Sequence, residues 1–197
     1  MTPYANRRSR KYLHQLEVIR LFEAARTTGR HGLRDSTLVW LMYRHGLRAS
    51  EARALTWGQV DFEHMRLHVQ RKKKGSPSTH LLGAFEVGAL MRLRPEGATP
   101  STPVFINDRG TPLCHSTIYK LIDRAGQAAG LDVRVNTHML RHSCGFHLTN
   151  VLDRQYRKIQ KFLGHRDLKH TARYTELDDS KFNDIWDGEI DDPTVKP

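Results

Sequence analysis

The sequence predicts a mainly helical α+β domain with a small antiparallel sheet, on the strength of three patterns. Apolar residues recur at three- and four-residue spacing in several stretches that end at glycine, the signature of core-facing helices. Around Leu67 and Val69 the period changes to two, with Arg66, His68 and Gln70 between, as in a half-buried strand. A cation-rich turn, RKKKGSPS, then separates that strand from a second extended run, so the two can pair as a hairpin.

Taken in order, residues 7–11 (RRSRK) form a basic arm, and the periodic helix begins at Leu13 with Leu16, Ile19, Phe22 and Ala25. Thr27 to Gly32 breaks it. A second helix runs from Arg34 to His45 with Leu38, Leu41 and Met42 on one side, and Gly46 is a C-terminal cap. A short third helix starts near Ser50, a good N-cap, with Glu51 in its first turn, and stops at Trp57-Gly58. Val60–Phe62, the Leu67–Val69 stretch and Thr79–Leu82 supply three strands. Phe85 to Arg94 is a short helix, and Pro95 to Pro103 a loop.

Val104–Ile106 is extended and closed by an Asn-Asp-Arg-Gly turn. Ser116 or Thr117 caps a helix with Ile118, Leu121, Ile122 and Ala125 inside, ended by Gly130. Further helices run from His138 to about Asn150 and from Arg154 to Leu163, where Gly164 ends the helix. A short helical segment carries Tyr174. Phe182, Ile185 and Trp186 form a last apolar face in the C-terminal segment.

The 197 residues suffice for one sizeable core. No run of about 18 apolar residues exists, and the N-terminus lacks the apolar centre of a signal peptide, so a cytoplasmic protein without membrane association is expected. Cys114 and Cys144 stand in no metal-ligand spacing and are expected to be reduced. The net charge of +11 is unevenly spread: residues 176–192 hold eight carboxylates and one lysine, so the first 175 residues carry +17. A basic body of that size suits a polyanion, nucleic acid before membrane, since no basic amphipathic helix stands out.

The stretch from Thr137 to Tyr174 concentrates the chemistry. His138 and Arg141 are three apart and share one face of a helix; His165 follows a Leu-Gly, and Tyr174 comes nine residues later. Two imidazoles, a guanidinium and a phenol are groups that grip a phosphodiester and attack it. Attack adds charge to the non-bridging oxygens, and fixed arginines stabilise that charge through a planar fork. Taken alone, His138 and Arg141 also fit a solvated helix face. His142, four from His138, has the spacing of a zinc pair, but Met139 stands where the motif needs glutamate, so no metal site is expected.

HMLRH, then LGH, then the tyrosine, preceded far upstream by GLRASE, together resemble the tyrosine recombinase (phage integrase) family from about Leu13 to Trp186. HMLRHSCGF, the GHR-x-x-x-HT run and the IWD after Tyr174 resemble its short fimbrial phase-variation members. The resemblance implies that family's catalytic-domain fold and a catalytic set of Arg48, Lys73, His138, Arg141, His165 and Tyr174. Lys73 comes from counting back eight residues from Leu81, and Lys72 and Lys74 compete with it as the general acid. Arg71, Lys72 and Lys74 are expected to contact DNA. The chemistry implied is DNA breaking and rejoining through a 3′-phosphotyrosyl bond, with no cofactor or metal. The substrate implied is double-stranded DNA bearing inverted-repeat sites, the outcome inversion of a promoter-bearing segment. A DNA-binding regulator that retains the fold is the alternative.

The expected organisation is an arm over residues 1–12, a catalytic domain over 13–175 and an acidic segment over 176–197 with a docking helix. Larger family members carry a separate DNA-clamping domain ahead of the catalytic one. With only about a dozen residues before the first helix here, partner DNA-bending proteins or cooperative assembly, from monomer to homotetramer on DNA, are expected to compensate.

Overall fold

A computed structural model of the chain describes residues 10–71, 77–151 and 156–164. The described elements are α1 (Gln15–Thr27), α2 (Gly32–Arg44), α3 (Ala49–Arg53), a 3-10 turn (Trp57–Gln59), β1 (Val60–Asp61), β2 (Arg66–Val69), β3 (Ser78–Leu81), α4 (Ala84–Leu93), α5 (His115–Ala128), α6 (Thr137–Val151) and α7 (Tyr156–Leu163). The strands form one antiparallel sheet in the order β1-β2-β3, as the alternation around Leu67 predicts. Lys72, Lys73, Lys74, His165, Tyr174 and the acidic segment lie outside the described residues.

Helix α2 is the centre of the domain. The sequence shows one apolar side, yet every residue from Asp35 to Tyr43 is buried. A helix can be covered all round only if its polar groups find partners. Most do: the Ser36 and Thr37 hydroxyls donate to the Gly32 and Leu33 carbonyls at 2.7 Å each, and Asp35 pairs with Arg34 at 2.7 Å, while Trp40 Nε1 is buried without a hydrogen-bond partner among the described residues. Around α2 pack α1, α4 and α6, with α5 behind α1. The segment before α1 is tied to α6: Leu13 N–H donates to Ser143 Oγ at 2.7 Å, and Tyr12 stacks on Phe146.

A smaller apolar cluster fixes α7. Cys144 of α6 and Ile159 and Leu163 of α7 are buried together, with Leu148 and Phe162 against them. This seam places the last turn of α7 beside the end of α2. Two helix starts differ from expectation. Arg48, not Ser50, stands at the N-cap of α3, and Cys114, not Ser116 or Thr117, at that of α5. Among the described residues, no helix is long and apolar enough to cross a membrane.

Candidate active site

The end of α2 sets the first arginine. Gly46 takes the left-handed conformation with φ +56°, and the Gly46 and Leu47 amides turn back to the Tyr43 and Met42 carbonyls at 3.3 and 3.1 Å. This is the Schellman arrangement, and it reverses the chain within two residues. A side chain at Gly46 would also run into Leu163 and Cys144. The reversal delivers Arg48 to the start of α3 in extended backbone. Glu51, three residues on, reaches back: Oε2 accepts the Arg48 amide at 3.0 Å and Oε1 accepts its guanidinium at 2.6 Å.

Arg71, just past β2, is the second cation in the cluster. Arg71, expected from the sequence to contact DNA, is turned inward: its side-chain exposure is 0%, against 26% for Arg48. The reason is the strand period. Leu67 and Val69 face inward, so position 71, on the same side, faces inward too. Its Nη1 donates to Glu51 Oε2 at 2.9 Å and to the Gly46 carbonyl at 3.3 Å. Its Nη2 donates to the His45 carbonyl at 3.0 Å and the Phe162 carbonyl at 2.5 Å.

Arg141 enters from α6. It is buried, with Nη1 on the Gly46 carbonyl at 2.5 Å and Nη2 on the Leu163 carbonyl at 2.6 Å. The Gly46 carbonyl is thus shared by two guanidiniums. Phe162 and Leu163 end α7, where carbonyls lack helical partners and the helix dipole favours cations; Arg71 and Arg141 occupy that end. Gly164 follows with φ +65°, its backbone so close to Arg71 that an added Cβ would lie 2.6 Å from Arg71 Cγ. His138 is exposed in the first turn of α6, its amide on Asn136 Oδ1 at 3.0 Å.

The charges follow from these contacts. Burial pushes the Glu51 carboxyl up, but the Arg48 amide, the Arg71 charge and the Arg48 guanidinium together hold it below the usual range. Burial pulls Arg71 below its ordinary value, and Glu51 offsets part of that. Behind the cluster, Glu86 Oε1 bonds His45 Nε2 at 3.0 Å, His45 Nδ1 meets His80 Nδ1 at 3.1 Å, and His80 Nε2 meets Ser78 Oγ at 2.8 Å. His80 also stacks on Phe162, 3.7 Å between ring centres. Burial, and then His45 and Arg71, push its imidazole down to about 2.

Of the expected residues that are described, Arg48, Arg71 and Arg141 meet in one network, and His138 lies one turn from Arg141 on α6. Sequence reading gave no site role to Glu51 or to the Gly46 carbonyl. Glu51 had a signal, a carboxylate three residues after an arginine at a helix start; the carbonyl had none.

The phage integrase family matches residues 11–181 of the chain. The chain belongs to that family and is a tyrosine recombinase. Among curated proteins, the recombinase is 38% identical over 187 residues to the type 1 fimbriae regulatory protein FimB of Escherichia coli K12, covering 93% of this chain and 92% of that one. It is 36% identical to the type 1 fimbriae regulatory protein FimE of the same organism, covering 90% and 91%. Among solved structures, XerA recombinase superposes with a TM-score of 0.73 at 29% identity, over 86% of this chain and 62% of that one. The XerH site-specific recombinase, in its post-cleavage complex with a palindromic difH substrate, gives 0.70 at 26% identity, over 85% and 50%. The recombinase therefore spans between half and two thirds of those solved chains.

Proposed function

We propose that the chain inverts a short, promoter-bearing DNA segment between inverted repeats and so switches fimbrial expression. The similarity to FimB and FimE over nine tenths of each chain is the observation that carries this reading. Tyr174 Oη attacks the scissile phosphorus as its proton passes to His138. The bond to the 5′-oxygen breaks, Lys73 protonates that oxygen, and a 3′-phosphotyrosyl bond and a free 5′-hydroxyl remain. Attack by the 5′-hydroxyl of the partner strand reverses the step, so the phosphate bond energy is kept and no external energy source enters. Arg48 and Arg141 hold the non-bridging oxygens, and His165 donates to the phosphate.

Double-stranded DNA is the substrate, and four copies of the chain assemble on two sites, from a monomer in solution. Lys72 and Lys74 flank the general acid and meet the backbone. Partner-supplied DNA bending belongs to the same reading.

A suicide oligonucleotide carrying the repeat traps the covalent adduct. Tyr174→Phe keeps DNA binding and abolishes the adduct; an adduct formed by that variant refutes the nucleophile. Lys73→Ala recovers cleavage on DNA whose bridging 5′-oxygen is sulfur, because a thiolate leaves unprotonated. Rescue at Lys72 or Lys74 instead moves the acid to that residue. Inversion of a two-site plasmid distinguishes recombination from occupancy alone.

A further inference from the structure

We infer that Arg71 is a positioning residue of the cleavage site rather than a DNA contact. The inference rests on the recombinase reading above and adds a residue to it. Arg71 joins three parts of the chain: the α2–α3 turn through His45, Gly46 and Glu51, the end of α7 through Phe162, and its own strand.

Each part leads to a group assigned to the phosphate. Glu51 holds Arg48 by side chain and backbone. The Gly46 carbonyl also receives Arg141. The end of α7, gripped at Phe162 by Arg71 and at Leu163 by Arg141, is directly followed by Gly164 and His165. Lys72 and Lys73 follow Arg71 directly in the sequence.

Four acceptors on two segments lie around one planar fork. An ammonium offers one centre and cannot hold them all, so lysine is no substitute. The buried charge is also a poor device for stability alone, since a well-packed apolar residue of similar size serves a fold as well. Gly164 supports the assignment from the other side: the chain carries no Cβ where the Arg71 stem passes, and the turn before His165 is seated on that stem. Arg71 touches no reacting atom. It sets Arg48 and Arg141 relative to one another.

The test uses the full chain, a suicide substrate, single-turnover adduct formation and a mobility shift for DNA affinity. Arg71→Lys and Arg71→Gln should each slow adduct formation roughly 100-fold, the scale of an ångström-level misplacement, while affinity changes by less than about threefold. In a double-mutant cycle with Arg48→Lys, the Arg71→Gln loss should shrink to less than about tenfold, because the two substitutions damage one arrangement. Additive losses overturn the proposal, as does an equal fall in affinity and rate, which marks a DNA contact. Thermal melting is read alongside: if neither variant folds, Arg71 is a folding residue only and the proposal is overturned. If the unsubstituted chain forms no adduct, the recombinase reading itself fails and takes the proposal with it. Normal adduct formation by both variants removes the proposal alone.

Discussion

Glu51 Oε2 lies 2.9 Å from Arg71 Nη1, and both side chains are almost wholly shut away from water, at 1% and 0% exposure. The same carboxylate holds Arg48 at 2.6 Å, so one buried anion serves two guanidiniums. Cutting one member out of a buried pair strands the other charge. Glu51→Ala should therefore cost about 3–5 kcal/mol of stability, far above the ~0–1 kcal/mol of an exposed pair such as Arg26–Glu23. Urea unfolding of the two single variants, Glu51→Ala and Glu23→Ala, makes the comparison; similar losses would show that Glu51 is not effectively buried.

The depressed Glu51 carboxyl has a pH consequence of definite sign. Its folded value lies below the unfolded one, so its contribution is present above about 4.5 and is lost as pH falls through the folded value. His80 and His147 act in a higher window. Burial first, helped by nearby histidines, lowers them to about 2 and about 3, so both stay neutral in the fold while the unfolded chain takes up protons below about 6.5. Stability should thus fall between pH 6.5 and 4. Each imidazole contributes a slope of up to about 1.4 kcal/mol per pH unit. His80→Gln should remove one such increment, read from urea midpoints at pH 7, 6 and 5; an unchanged slope would place His80 in contact with water.

What the sequence made legible was the periodic part. The helices around Phe22 and Leu121 and the hairpin at Leu67 follow from spacing, because burial on one face leaves a repeat that can be counted, although Leu16, counted on the inner face of the first, is 58% exposed. Arg71 escaped because its charge argued for the surface while its parity argued for the interior, and the carbonyls that decide the matter come from distant parts of the chain. Ser50 failed as a cap because Glu51 reaches back to the Arg48 amide and fixes the helix start two residues earlier. Ser116 and Thr117 instead bond Cys114 Sγ at 3.1 and 3.0 Å. Leu81, the apolar residue of its strand, is 73% exposed, whereas His80 is buried because His45, Ser78 and Phe162 give it partners. Arg48 and Arg141 were legible only as motif positions; no spacing says that Arg71 stands between their supports.

Gly164→Ala tests the close approach of α7 to Arg71. The left-handed backbone alone costs a non-glycine residue about 1–2 kcal/mol. The added Cβ, 2.6 Å from Arg71 Cγ, must displace the stem as well. The variant should lose more than that strain in urea unfolding. Gly97→Ala is the control, since it has φ +73° with open space around it. Equal losses at the two glycines would mean that the Arg71 stem yields freely.

Arg141→Lys keeps the charge and removes the fork. In the structure one guanidinium bridges the Gly46 and Leu163 carbonyls at 2.5 and 2.6 Å, joining the α2 turn to the end of α7 across α6. A lysine ammonium can take one of these acceptors but cannot span both in the same plane. The Gly46 carbonyl keeps Arg71, so the loss falls on the buried Leu163 end when the ammonium sits at Gly46, and an unmet buried acceptor costs about 1–3 kcal/mol. The melting temperature should therefore fall, by several degrees for a domain of this size. Cleavage should fall much further than DNA affinity, because under the proposed role Arg141 faces charge that develops only in the transition state. Adduct formation on the suicide substrate and a mobility shift at the same salt concentration separate the two effects. A rate and an affinity that fall together would make Arg141 an ordinary backbone contact; an unchanged melting temperature would show that the Gly46–Leu163 bridge contributes nothing to the fold.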